Sequence, residues 1–225
     1  MLFADRTDAG TQLAERLLAR KETSPVVLAL PRGGVPVGFE IARALGAPLD
    51  LVLVRKIGAP CDEELAIGAV ADGPEPELVT DASLIADLDV PAAYLDAAKS
   101  AALQEIGRRR RAYLGDRLPV DVAGRTAIVV DDGIATGATV LAALRTTRRR
   151  KPARIVLAVP VVAEVVLRRL RREVDSVVSL HTPADLSAVG HFYRRFRQLQ
   201  DEEVIALLDR ARAFAPTTGS SGSLA

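Results

Sequence analysis

Apolar and polar positions along the chain switch repeatedly between two spacings. Val26 to Leu30 is an unbroken apolar run that stops at Pro31 and two glycines, the pattern of a strand buried on both faces. Val37 to Leu45 follows with helical spacing and is stopped by Gly46 and Pro48. Leu49 to Val54 predicts a second strand, closed by Arg55-Lys56. Leu65 to Ala71 predicts a third, followed by a loop rich in Gly, Pro and acids. Residues 91–113 predict a long helix, with Pro91 suited to its first turn. Thr126 to Val130 is a strand and Ala138 to Arg149 a helix. Ile155 to Val159 is a strand, 163–172 a basic helix and Val174 to Leu180 a strand. Asp201 to Phe214 is the last helix, with acids in its first turn and arginines in its last, as the helix dipole favours.

Strands that alternate with helices and are apolar on both faces imply an α/β fold: a mostly parallel twisted sheet flanked by helices. Ligands of such sheets sit beyond the carboxyl ends of the strands. Three of those ends carry unusual chemistry here: Pro31-Arg32-Gly33-Gly34, Arg55-Lys56 and Asp131-Asp132-Gly133. They are expected to converge on one cleft. Residues 1–214 form the folded domain in this reading, and 215–225, APTTGSSGSLA, a disordered tail with no large apolar anchor apart from Leu224.

Charge and cysteine usage narrow the setting. With 30 basic against 29 acidic residues, a net charge of +1 gives no reason to expect nucleic acid as a partner. The lone Cys61 excludes an internal disulfide and fits a reducing cytoplasm. No apolar run is long enough to span a bilayer and the first residues do not read as a signal peptide, so no membrane partner is expected. Two histidines, His181 and His191, are too few for a metal site. Arg108 to Arg111, Arg145 and Arg148 to Lys151 read as solvated helix faces, and Asp62, Glu63 and Glu64 as a surface cluster outside the catalytic set.

The stretch VVDDGIATGAT, residues 129–139, sets two acids before a loop of small residues that opens a helix. Backbone N–H groups at such a junction lack helical partners and can point at an anion. The helix dipole contributes only about 0.3–1 kcal/mol. Hydrogen bonds to a charged group are worth about 1.5–3 kcal/mol each, so three or four N–H donors would dominate. Gly133 and Gly137 allow close approach, and Thr136 and Thr139 add hydroxyls. The absence of Lys from the loop and the glycine spacing exclude a Walker A motif and a dinucleotide fingerprint, which leaves a terminal monoester. Carboxylates accept hydrogen bonds from sugar hydroxyls. One ligand with both ends, a sugar phosphate, satisfies the acids and the loop together.

These residues closely resemble the PRPP-binding signature of type I phosphoribosyltransferases, where PRPP is 5-phosphoribosyl-1-pyrophosphate. PRGGVPVG (31–38) resembles the family's pyrophosphate loop, and RKIGAP (55–60) stands where a basic residue or pair precedes the flexible active-site loop. FADRTDAG near the start, AVPVV (158–162) and HFYRRFRQLQDEEV (191–204) resemble a predicted phosphoribosyltransferase subgroup. The resemblance implies a small hood over the sheet and transfer of phosphoribose from PRPP to an acceptor. It implies that Asp131 and Asp132 hold the ribose hydroxyls and that Gly133, Ile134, Ala135, Thr136, Gly137, Ala138 and Thr139 hold the 5-phosphate. Arg32, Gly33 and Gly34 would face the pyrophosphate, with Arg55 and Lys56 adding charge. Magnesium would bridge pyrophosphate and ribose, with Asp131 and Asp132 as its nearest carboxylates, and a homodimer is implied as well.

The acceptor is unidentified. Phe192 and Tyr193, among the few aromatics, are either a stacking surface for it or core beneath the hood. A PRPP- or nucleotide-sensing regulator and a PRPP or nucleotide hydrolase stand as alternatives, and the retained Arg32, Arg55 and Lys56 favour catalysis over sensing.

Overall fold

The computed structural model of the chain describes residues 2–73 and 76–214; the expected tail at 215–225 lies outside them. Five strands build a parallel sheet: β1 (Pro25–Ala29), β2 (Leu49–Leu51), β6 (Thr126–Val130), β7 (Arg154–Val161) and β8 (Ser176–His181), in the order β2-β1-β6-β7-β8. Three more, β3 (Val54–Ala59), β4 (Asp62–Ala71) and β5 (Glu77–Thr80), form a separate antiparallel sheet.

The central strands β1, β6 and β7 are mostly apolar because both of their faces are covered. Val26, Leu28, Ala127, Val129, Ile155 and Leu157 pack on one side against Val140, Leu141 and Leu144 of α5 (Ala138–Arg149). Their neighbours Val27, Ile128, Val130, Val156 and Ala158 face the other way. They meet Leu13 and Leu17 of α1 (Arg6–Leu18) and Val37 and Ile41 of α2 (Gly34–Leu45). Successive strand residues point to opposite faces, so one apolar run feeds two cores. The short α6 (Glu164–Leu170) adds Leu167 and Leu170 to the α5 side.

A third core lies under the small sheet. Ile57, Ile67 and Val70 pack against Ala102, Ile106 and Tyr113 of α4 (Ala92–Leu114) and Val204 and Leu208 of α7 (Asp201–Ala211). The short α3 (Ala82–Asp87), capped by Asp81, links β5 to α4. Sheet, α3 and α4 together make the hood.

The predicted strand Leu49–Val54 is divided. It pairs with β1 only through Leu51, and Val54 already belongs to the hood sheet, so the apolar run crosses from one core to the other. Arg55 and Lys56 consequently lie inside β3 and not at the carboxyl end of a parallel strand. The segment that resemblance assigns to the active-site loop is the hairpin β3–β4, turning at Pro60-Cys61, with Asp62 and Glu63 exposed on it. Among the described residues no helix is long and apolar enough to cross a membrane.

Candidate active site

The cleft begins where β1 and β6 end side by side. Leu30 donates to the Val130 carbonyl at 2.9 Å, which ties the two strand ends together. The chain then turns through Pro31 and Arg32, joined by a cis peptide, into α2. Gly33 and Gly34 are dictated by what lies opposite. A Cβ on Gly33 would stand 2.1 Å from Asp132 Oδ2, and one on Gly34 2.6 Å from the Val130 carbonyl oxygen. The loop at 31–34 and the acids at 131–132 are therefore in direct contact, as their strand positions predict.

Asp132 is held from three sides. Arg6 Nε donates to its Oδ2 at 2.7 Å, with both side chains almost enclosed. Tyr193 Oη donates to its backbone carbonyl at 2.6 Å. Its own N–H donates to Asp131 Oδ1 at 2.8 Å. Burial pushes the Asp132 carboxyl up, against the pull of Arg6. Burial, reinforced by the neighbouring charge of Asp132, pushes Asp131 well above the usual carboxylate range. The acid pair therefore presents a weaker negative field to a nearby phosphate than two free carboxylates would.

The loop after the acids is pinned to the end of β7. The Ile134 N–H donates to the Val161 carbonyl at 2.9 Å, so Ile134 is removed from the set of anion donors. Gly133 lies under Val189 and Val161, where a Cβ would meet Val189 Cγ1 at 2.4 Å. Gly137 has φ +84° and precedes Ala138, the first residue of α5, leaving the first N–H groups of that helix without intrahelical acceptors. Thr136 is exposed, and Ala135, Ala138 and Thr139 are half-buried beside it.

Arg55 and Lys56 do not act as a pair. As neighbours on a strand they point to opposite faces. Arg55 lies 4.0 Å from Glu105 of α4. Lys56 lines a cavity of about 350 Å³ together with Thr136, Ala138 and Arg169 of α6. Arg32 lies 3.7 Å from Asp201 at the start of α7, whose Oδ1 also accepts from the buried Tyr113 hydroxyl at 2.6 Å.

Tyr193 is not available to stack on an acceptor. It is buried, with its ring 5.3 Å from Phe3 and stacked on Phe196 at 4.9 Å. Phe192 packs against His181 at 5.8 Å. Of the two readings of these aromatics, core is the one the packing shows for Tyr193, in a cluster with Phe3 and Ala9 and not beneath the hood. Phe196 also carries the Arg6 guanidinium, 3.9 Å from its ring centroid. Arg6, Tyr113, Asp201 and Arg169 are the site-lining residues that the strand-end argument misses. Arg6 and Asp201 had a local signal, their places in FADRTDAG and HFYRRFRQLQDEEV.

A phosphoribosyl transferase domain matches residues 4–190. The chain belongs to the phosphoribosyl transferase family. A Mycobacterium tuberculosis relative, "Putative phosphoribosyl transferase Rv0571c", is 46% identical over 215 residues, which is 95% of this chain and 48% of the relative. The same figures hold for its counterpart MT0597 from another strain of that species. The chain thus spans about half the length of the curated relatives it matches. The crystal structure of TT1426 from Thermus thermophilus shares 40% identity and superposes with a TM-score of 0.79, covering 96% of this chain and all of that one. The family membership agrees with the fold: a parallel sheet flanked by helices with its acidic signature at the end of β6.

Among the described residues no group of three or more His, Cys, Asp or Glu side chains gathers as a metal cage. The donor set is two adjacent carboxylates, one of them already engaged by Arg6. That set suits magnesium, which keeps several waters and takes substrate phosphate oxygens with one or two carboxylates. Asp131, which accepts no hydrogen bond from Arg6, would be the carboxylate left to hold it.

Proposed function

We propose that this chain transfers the 5-phosphoribosyl group from PRPP to a nitrogenous or other nucleophile, with release of pyrophosphate. The observation that carries the reading is the contact between the two strand ends: Gly33 and Gly34 lie flush against Asp132 and Val130. A ligand bridging them would have its diol on the acids and its two anionic ends on the loops to either side.

In this reading Asp131 and Asp132 accept from the ribose hydroxyls. The 5-phosphate takes the free N–H groups and hydroxyls of residues 135–139, with Lys56 and Arg169 supplying charge from the cavity wall. Arg32 and Arg55 face the leaving pyrophosphate. As the bond at the anomeric carbon breaks, negative charge grows on the pyrophosphate and positive charge on the sugar. Fixed guanidinium groups stabilise the first without reorganising. Magnesium, when bound, neutralises further phosphate charge. A homodimer acting in the cytoplasm is part of this proposal, as the family resemblance implies, and light scattering of the purified chain tests the first point.

The test is pyrophosphate release from PRPP and magnesium in the presence of a panel of purine, pyrimidine and amine acceptors. Acceptor-dependent release supports transfer. Release without acceptor identifies a hydrolase, and tight PRPP binding without release identifies a sensor.

A further inference from the structure

Helix α4 carries four successive arginines, and the fold sends them to different places. Arg110 turns inward to Asp72, and Arg111 is exposed. Arg108 and Arg109 converge on Glu105, at 2.8 and 2.9 Å. That same carboxylate faces Arg55 of β3 at 4.0 Å. Glu105 thus gathers three guanidinium groups from two elements, and Arg108 first, then Arg109, hold its carboxyl down at about 2. Glu105 and, behind it, Asp201 in turn raise Arg108. Asp201 is the carboxylate that faces Arg32. Among the described residues, the four arginines Arg32, Arg55, Arg108 and Arg109 thus stand around Glu105 and Asp201, two cations more than these two acids match. All four remain partly exposed, with side chains 33% (Arg32), 48% (Arg55), 62% (Arg108) and 39% (Arg109) accessible.

An arrangement serving stability alone would match its charges or bury them. Here the surplus is cationic and open to solvent, and α4 meets Arg32 of the 31–34 loop at Asp201, which Arg32 faces at 3.7 Å and Tyr113, one turn beyond Arg109, holds at 2.6 Å. It lies on the opposite face of β3 from Lys56 and the 133–139 loop. We propose that Arg108 and Arg109 of α4 extend the pyrophosphate side of the site, forming with Arg32 and Arg55 one guanidinium wall for the leaving group. Glu105 keeps the wall ordered while it is empty and yields its partners to a stronger anion. This rests on the donor reading above and gives the long helix of the hood a task within it.

The experiment is calorimetric titration of inorganic pyrophosphate, and separately of ribose 5-phosphate, each with magnesium, into the full chain. Variants are Arg108→Gln/Arg109→Gln, Arg109→Lys and, as a control from the same run, Arg111→Gln. The double variant is expected to bind pyrophosphate about 10-fold more weakly, as loss of charge-assisted hydrogen bonds implies, and ribose 5-phosphate unchanged. Arg109→Lys, which keeps the charge, and Arg111→Gln are expected to stay within about threefold of wild type. Unchanged pyrophosphate affinity in the double variant, or an equal loss in Arg111→Gln, overturns the proposal while leaving the donor reading intact. If wild type binds neither ligand, the donor reading fails and this inference falls with it.

Discussion

Arg6 Nε stands 2.7 Å from Asp132 Oδ2, and the two side chains are only 11% and 14% exposed. The residues are 126 positions apart, so the first turn of the first helix is clamped to the signature acids that follow β6. Phe196 backs the guanidinium, and Tyr193 backs Phe196. Removing one partner of an enclosed pair leaves an uncompensated charge, which costs roughly 3–5 kcal/mol. Arg6→Ala should fall near the lower end of that range, because the pair keeps some access to solvent. Urea denaturation at neutral pH measures it; a loss below about 1 kcal/mol would place the pair among exposed salt bridges.

Gly33→Ala should injure the site through contact alone. Its Cβ would stand 2.1 Å from an Asp132 oxygen that Arg6 holds in place, so carboxylate or loop must shift. Overpacking of this kind costs about 1–3 kcal/mol. The expected outcome is a folded protein by circular dichroism with weakened PRPP binding. Unaltered affinity would show that the 31–34 loop does not need its close fit to Asp132.

Tyr113 supplies a pH signature. Burial first, and then its hydrogen bond to Asp201, push the phenol up to about 12 from an ordinary 10.0. Folding thus favours the neutral phenol. Between those values the unfolded chain binds fewer protons than the folded one, so stability falls as pH rises through that window. Alkaline titration followed by tyrosinate absorbance should show one ionisation near pH 12 that disappears in Tyr113→Phe. Its persistence in the variant would contradict the assignment.

Much of this architecture is legible along the chain, for reasons that differ by element. Thr126–Val130 and Ala138–Arg149 match the observed β6 and α5 because a wholly apolar run and a clean helical stripe meet at a glycine loop. The crossing at 52–54 leaves no mark: residues 51–54 are apolar whichever core receives them, and spacing cannot say which sheet a strand joins. Helix α1 buries Ala9, Gly10, Leu13, Ala14 and Leu17, a stripe of small residues among polar ones, which periodicity alone passes over. The acids, the glycines and Arg32 are visible because their chemistry is local. Arg6 on Asp132 and Tyr113 on Asp201 are long-range pairings that only the fold creates.

Asp132→Asn and Arg32→Ala address the two ends of the proposed reaction. The first weakens the acceptor of the ribose hydroxyls, the second a donor to the leaving group. Each should lower PRPP turnover by about 10²–10³ with the far-ultraviolet spectrum unchanged. Near-wild-type turnover in either would remove that residue from the mechanism.

The central claim is that one pentose phosphate spans Asp131-Asp132 and the loop that follows. Calorimetry of PRPP with magnesium against the wild-type chain, repeated with a mononucleotide, tests it directly. The account predicts saturable one-to-one binding of both, each weakened by Asp132→Asn. No heat of binding for either ligand at millimolar concentration would contradict it.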